Sequence, residues 1–417
     1  MIKRLAMLSV HTSPLAPMGG KKTGGMNVYI RELAQELGAR GIAVDIFTRR
    51  TSFDEPEIDH GIGENVRVIY LSAGPVGALK PDAIFPHLPQ FTARLMAFAT
   101  RHSLKYDIIY SHYWLSGAVG QKLKESWGTP FVQMFHTLGQ MKQRILSHST
   151  IMPNQRICTE TEIVSWADRI VAATPAEHSQ LMWLYRANRR KIEIIPPGVN
   201  TARFHPLSQA DAQHELGYEP QEKILLFVGR IEPLKAVDTI IQALAYVRQH
   251  NAFLLENIRF AVVGGDPNDT SDSEMMRLQQ LTTENNLTEV VQFLGAKDQN
   301  ILPTYYAAAT AVIMPSDYES FGMVALEAMA TGTPVIASNV GGLAYLVKDE
   351  ETGFLVPVRE PQSIAECITR LVSDDTTSKR MGEQASQLAH EYAWHNIADR
   401  LLGVFDDILG RKSTQAV

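Results

Sequence analysis

The stretch Ile195-Pro196-Pro197-Gly198-Val199-Asn200 separates two segments that carry the same pattern. Two consecutive prolines and a glycine interrupt helix and sheet ladder alike, so the stretch reads as a linker. Before it, Leu5-Ala6-Met7-Leu8-Ser9-Val10 is an apolar run of strand length, followed by a polar, glycine-rich loop. Ile30, Leu33, Ala34 and Leu37 then recur at helical spacing, with Gly41 as the stop. Val44 and Ile46 alternate with polar residues in the next strand, and Ile108–Tyr110, Phe131–Met134 and Ile170–Ala172 are later ones. Beyond the linker the series restarts at Ile224–Val228. Val237, Ile240, Ile241 and Leu244 mark a helix, and strands are predicted at Phe260–Val263, Val290–Phe293, Ala311–Met314 and Pro334–Ala337. Strands that alternate with helices imply α/β domains with parallel sheets and crossover helices. The expectation is two Rossmann-like domains, 1–197 and 198–391, whose sheets turn their carboxyl ends to a shared cleft. A helical tail at about 392–417 is expected to pack back on the first domain.

A length of 417 residues suits two domains, and 45% hydrophobic with 20% charged residues suits folded cores. No run of about 18 apolar residues is present, so no transmembrane segment is expected. The apolar run after Lys3-Arg4 ends at His11 without a small-residue cleavage site, and reads as a first strand rather than a signal peptide. Cys158 and Cys367 are too few for a disulfide framework or a zinc site, which fits a reducing cytoplasm. A net charge of −6 gives no case for nucleic acid as a partner.

Asp317-Tyr318-Glu319-Ser320-Phe321-Gly322 lies between the strand ending near Met314 and the helical run Val324–Met329. Gly322 lets backbone approach a ligand, and the amides after it open a helix, where a phosphate binds readily. Glu319 is placed to accept hydrogen bonds from sugar hydroxyls, and Glu327 to reach a ribose diol. A glycosidase also needs two carboxylates. Eight helical residues rise about 12 Å, whereas glycosidase pairs stand roughly 5–9.5 Å apart. The spacing disfavours hydrolysis. A helix-start Glu beside a merely solvated one is the plain alternative.

Arg230 and Lys235 follow the first strand of the second half, in Val228-Gly229-Arg230-Ile231-Glu232-Pro233-Leu234-Lys235. Fixed cations there would stabilise the charge that builds on a diphosphate leaving group. An Arg fork suits phosphate oxygens and a Lys acts as a point charge. Alone, the two would read as surface cations. Gly24-Gly25-Met26-Asn27 opens the first helix of the first half. Asp45 follows at about the distance of a ribose-binding acid in a dinucleotide fold. Gly19, Gly20, Gly24 and Gly25 do not make the G-x-G-x-x-G turn, however, so Asp45 is expected to face a neighbouring strand.

Together these motifs resemble glycosyltransferase family 4, over essentially the whole chain. The resemblance implies a GT-B fold, retention of configuration and a UDP-sugar donor. It implies no obligatory metal, with Mg at most stimulatory, and leaves a homodimer open. It assigns Arg230, Lys235, Glu319 and His136 to catalysis. Gly25, Asn27, Phe321, Gly322, Met323, Val324 and Glu327 fall to the donor. Within the family, His11–Leu15, Gly24–Tyr29, Ser111–Gly117 and His136-Thr137-Leu138 are similar to enzymes that glycosylate D-inositol 3-phosphate in mycothiol biosynthesis. On that likeness Lys80, Tyr113, Thr137 and Arg156 hold the acceptor phosphate, a chemically sensible set.

Two segments depart from the pattern: Met141–Asn154 is not the acidic loop expected there, and Ala296–Asp298 differs near the base. Sucrose-phosphate and sucrose synthases share the architecture but read Gly-Gly-Gln at Gly24-Gly25-Met26, so Met26 leans away from sucrose. Transfer at a membrane surface, docked through Lys142, Arg144, Arg189, Arg190 and Lys191, is a further alternative. A sugar-nucleotide-binding module without turnover is another.

Overall fold

The structure is a computed structural model that describes residues 2–16, 24–145 and 154–410. Its described residues up to Gly198, with those from Trp394 onward, form one compact unit; Val199–Ala393 form a second.

The first unit is built on β1 (Arg4–Leu8), β2 (Ala43–Arg49), β3 (Ile58–Asp59), β4 (Val66–Leu71), β5 (Ile108–His112), β6 (Phe131–Met134), β7 (Arg169–Ala172) and β8 (Ile192–Ile194). They make one eight-stranded sheet, ordered β3-β4-β2-β1-β5-β6-β7-β8. Every pairing is parallel except the short edge strand β3 against β4. β3, β4 and β8 were not anticipated from the sequence. The helix Gly25–Ala39 follows β1, and its apolar stripe, Val28, Ile30, Leu33, Ala34 and Leu37, is buried. It stops at Arg40, followed by Gly41 at φ +80, a left-handed exit that glycine makes at little cost.

Asp45 on β2 lies under this sheet at 1% exposure. Arg67 of β4 forks its two oxygens at 2.7 and 2.8 Å. Arg4 donates to Asp45 Oδ2 at 3.1 Å, and the Tyr106 hydroxyl donates to the same oxygen at 2.8 Å. Asp45 therefore faces its neighbouring strands, as expected, and is committed to structure.

The helix Trp394–Ile408 also belongs to this unit. Trp394 meets Tyr29 edge to face at 5.5 Å and Phe405 meets Tyr110 at 5.7 Å. Arg40 Nη2 donates to the His395 carbonyl at 2.8 Å, and Arg169 pairs with Asp407 at 2.7 Å. The tail thus packs on the first unit. Its last residues, 411–417, lie outside the described residues.

The second unit is a six-stranded, wholly parallel sheet of β9 (Lys223–Val228), β10 (Ile258–Val263), β11 (Val291–Gly295), β12 (Ala311–Met314), β13 (Val335–Ser338) and β14 (Gly353–Val356). Its order is β11-β10-β9-β12-β13-β14. β14 was not anticipated. Leu225, Phe227, Ile240, Leu244, Phe260, Val262, Ile313, Ile336, Ile364 and Ile368 belong to one buried core. Val199 bridges Ala393 and donates to the Tyr392 carbonyl at 2.8 Å, so the chain enters and leaves this unit side by side.

Asp45→Ala is expected to lower the unfolding free energy by about 3 kcal/mol, because it strands Arg67 and Tyr106 beside a buried gap. Urea unfolding of the variant against the parent measures it; a loss under about 1 kcal/mol would contradict the role given to Asp45.

Candidate active site

In each sheet the strand order reverses at one place, and ligands of open α/β sheets bind there. In the second unit the reversal falls between β9 and β12. Arg230 and Lys235 follow β9, and Glu319 follows β12. The Lys235 ammonium, on the short turn Pro233–Lys235, is ion-paired with Glu319, the two side chains 20% and 17% exposed. Arg230 lies further out, its Nη1 donating to Glu232 Oε1 at 2.5 Å.

The Glu319 loop rests on a seat that was not read from the sequence. Gly341, at φ +46, and Gly342 run against it so closely that a Cβ on either would collide with the backbone of Glu319 or Phe321. The Gly342 amide donates to the Glu319 carbonyl at 2.9 Å. Gly322 turns left-handed, at φ +107, into the helix Met323–Ala330, whose first amides have no intrahelical partner. Phe321 is buried, while Met323 and Val324 are half-buried. Glu327 is buried in the second turn and accepts from the Tyr306 hydroxyl at 2.8 Å. Burial, with Glu327 beside it, pushes the Tyr306 phenol far above its ordinary value, so it stays a donor.

In the first unit the reversal falls between β1 and β5. Tyr113 after β5 has φ +73, and His136 after β6 has φ +61. Non-glycine residues held left-handed cost about 1–3 kcal/mol each, and such positions cluster at working sites. His112 and His136 face each other, Nδ1 to Nε2, at 3.0 Å. Burial first, and the neighbouring imidazole second, hold His112 well below the ordinary value. Burial, with His11 nearby, lowers His136 to about 3. Both rings are therefore neutral at pH 7. His112 Nε2 is buried without a partner. A bare acceptor there costs less than a stranded N–H, so His112 Nδ1–H donates and His136 keeps its own hydrogen on Nδ1.

Tyr113, Thr137 and Arg156 come together; the side chain of Lys80, exposed just before the helix Pro81–Ile84, makes no hydrogen bond or ion pair among the described residues. Arg156 donates to the Tyr113 hydroxyl at 3.1 Å, and to the Thr137 carbonyl and hydroxyl at 2.8 and 3.1 Å. Its guanidinium also stacks over the Tyr113 ring at 4.9 Å. Its charge is balanced by Glu160, fully buried at 2.7 Å, which also accepts from the Gly139 amide and the Tyr185 hydroxyl. Glu160 was not anticipated; its spacing from Arg156, one helical turn, was the available signal.

Asn27 is buried and spends its amide inside the chain, donating to Thr12 Oγ1 and the Ser13 carbonyl, both at 2.7 Å, while Gly25 stays exposed. Gly19, Gly20 and most of the unexpected segment Met141–Asn154 lie outside the described residues. Ala296 is tied by its amide to the Gly265 carbonyl at 2.8 Å. Among the basic residues considered for a membrane surface, Lys191 donates to the Ser165 carbonyl at 2.9 Å. No helix among the described residues is long and apolar enough to cross a membrane, and none of their His, Cys, Asp and Glu side chains form a metal cluster.

Comparison with known proteins supplies the class. Residues 23–203 match Glycosyltransferase Family 4, and residues 208–388 match Glycosyl transferases group 1. D-inositol 3-phosphate glycosyltransferase of Acidothermus cellulolyticus is 39% identical, over 99% of this chain and 92% of that one. The enzyme of the same name from Kineococcus radiotolerans is 39% identical, over 97% and 95%. Sucrose-phosphate synthase from Thermosynechococcus elongatus superposes with a TM-score of 0.89 at 34% identity, over 98% of this chain and 99% of that one. Two doubly wound sheets with these matches define a glycosyltransferase of the GT-B fold. More narrowly, the chain belongs to glycosyltransferase family 4.

Glu177 is buried, with Oε2 on the Ala173 amide at 2.7 Å and Oε1 unpartnered, and burial raises it to about 7. Unfolded histidines take up protons near pH 6.5, while folded His112 and His136 resist, so their contribution is complete above pH 6.5 and lost as pH falls. Glu177 acts oppositely: folded, it holds its proton up to about pH 7, so stability falls as pH rises from 4.5. Between pH 4.5 and 6.5 the two effects oppose, and Glu177 offsets about 1.4 kcal/mol per pH unit of what the histidines supply. Glu177→Gln is expected to raise the slope of stability against pH by about that amount in urea melts at pH 6.5, 5.5 and 4.5. An unchanged slope would refute the assignment.

Proposed function

We propose that the protein is a retaining transferase that moves a hexosyl group, GlcNAc or glucose, from a UDP-sugar to a small phosphorylated acceptor, inositol phosphate first among them. One observation carries the acceptor side. Arg156 donates to the oxygens of both the Tyr113 and the Thr137 hydroxyl. Each hydroxyl is left with its own proton to give, so both are poised to donate to a third, anionic oxygen. Arg156 itself is neutralised by Glu160, so it acts through these hydroxyls more than as a bare cation. Exposed Lys80 is free to add charge. The relatives named for D-inositol 3-phosphate support this choice.

On the donor side, Arg230 and Lys235 meet the diphosphate, and the helix-start amides of Met323 and Val324 sit beside it. Charge grows on that diphosphate as the glycosidic bond breaks, so these groups favour the transition state over the ground state. Glu319, tied to Lys235, is a weak nucleophile and a good acceptor for sugar hydroxyls. Retention then follows front-face attack, with the leaving phosphate taking the acceptor proton. Neutral His136 contributes an N–H donor to the sugar rather than a base. The two cations supply the charge a metal would, and Mg acts only by riding on the donor. Cys158 and Cys367, which form no disulfide with each other, fit a reducing, cytoplasmic compartment.

A second reading takes a fructose phosphate as acceptor, and the likeness to sucrose-phosphate synthase favours it. The phosphate contacts are shared by both readings; the polyol is not.

Incubation with UDP-GlcNAc or UDP-glucose should release UDP with D-inositol 3-phosphate and not with free inositol. Thr137→Val should lower kcat/KM for the acceptor by about tenfold or more. Release with fructose 6-phosphate alone would select the second reading, and equal release with unphosphorylated acceptors would overturn both. Turnover in excess EDTA should stay within about threefold of that with Mg; abolition by EDTA would overturn the metal-independent reading.

A further inference from the structure

Arg359 lies in the loop after β14, at φ +58, a conformation an arginine adopts only at a cost. Its Nε and Nη2 donate to the two oxygens of Asp317, each at 2.6 Å. Nη1 donates to both oxygens of Asp238 at 3.0 and 3.1 Å. Nη2 also reaches the Pro233 carbonyl at 3.0 Å. All three nitrogens of the fork are engaged, by three separate segments of chain.

Those segments carry the donor groups. Pro233 begins the turn that ends at Lys235, and Asp238 stands in the first turn of the following helix, Val237–His250. Asp317 precedes Glu319 by two residues, and its amide donates to the Leu234 carbonyl at 2.9 Å. The Lys235–Glu319 ion pair forms only while these two loops keep their spacing. The Arg359 side chain is 42% exposed, so its ion pairs add little to stability, and the geometry they impose is the larger effect. Without the guanidinium, Asp317 and Asp238 lose the charge they share. Arg277 still pairs with Asp238 at 3.1 Å, but no cation is left on Asp317 among the hydrogen bonds and ion pairs described. The two loops then keep the Asp317 amide on the Leu234 carbonyl and the Lys235–Glu319 pair itself, but lose the side-chain brace that fixes their spacing.

We infer that Arg359 is a positioning residue that fixes the Lys235 loop against the Glu319 loop and so sets the geometry of the diphosphate and sugar subsites. This rests on the donor role proposed above for Lys235 and Glu319. A lysine cannot replace it, because one ammonium cannot span two carboxylates and a carbonyl in a fixed plane.

Arg359→Gln and Asp317→Asn break the fork from its two sides. In the full chain, titration calorimetry with UDP is expected to show affinity about tenfold weaker in each, with an unfolding midpoint close to the parent's. In a Lys235→Ala background, adding Arg359→Gln should change UDP affinity by less than about threefold, since both act on one contact. Parent-like UDP affinity in both single variants, or losses that multiply in the double variant, would overturn the inference and leave the donor reading standing. A parent protein with no affinity for UDP would overturn the donor reading and this inference with it.

Discussion

When the chain leaves β9 toward β10 on one side and later returns as β12 on the other, two adjacent parallel strands end with their loops diverging. Nothing in the sheet ladder covers the gap between those loops, so it is where buried scaffold and exposed polar backbone meet. Lys235 and Glu319 are carried to that gap from opposite sides, and their ion pair is the visible result. The packing around it has one purpose in common: to hold two diverging loops at a set spacing. Gly341 and Gly342 seat the Glu319 loop by backbone contact that no side chain permits, and Arg359 ties that loop to the segment around Lys235.

The first unit solves a related problem with buried charge. Arg156 and Glu160 neutralise each other inside the fold, which avoids the cost of an isolated buried ion. The pair still has a directional effect, because Arg156 donates to the oxygens of Tyr113 and Thr137 and so leaves their protons for another acceptor. The histidine pair works without charge at all: burial holds both rings neutral, and the partnerless Nε2 of His112 decides which nitrogen of His136 bears hydrogen. These side chains are thus fixed in place by their own neighbours, and under the proposed function that lowers the reorganisation a reaction would demand.

What the sequence disclosed was local. Glu319, Gly322 and Glu327 fall within one strand–turn–helix unit, and Arg230 and Lys235 follow a single strand, so neighbouring residues were enough to place them. The sheet architecture was legible for the same reason, because Ile and Val runs alternate with helical periods. The rest was not local. Gly341 and Gly342 matter only because of a loop some distance back along the chain, and Arg359 only because Asp238, Asp317 and Pro233 converge on it. The edge strands β3 and β8 are too short to show a period, and Gly353 masks the start of β14. Asn27 was given to the donor by resemblance; which way its side-chain amide points is not legible in sequence, and in the fold it turns inward to Thr12 and Ser13.

The left-handed backbone at Tyr113 and His136 bears on how this chain responds to selection for robustness. Glycine or asparagine would relax either position, so a search driven by thermal tolerance alone would drift toward them. Each such exchange would remove a ring that stands over Arg156 or against His112. Engineering this scaffold for heat therefore carries a built-in conflict at two addresses, and a hardened variant that keeps both residues must find its gains elsewhere in the fold.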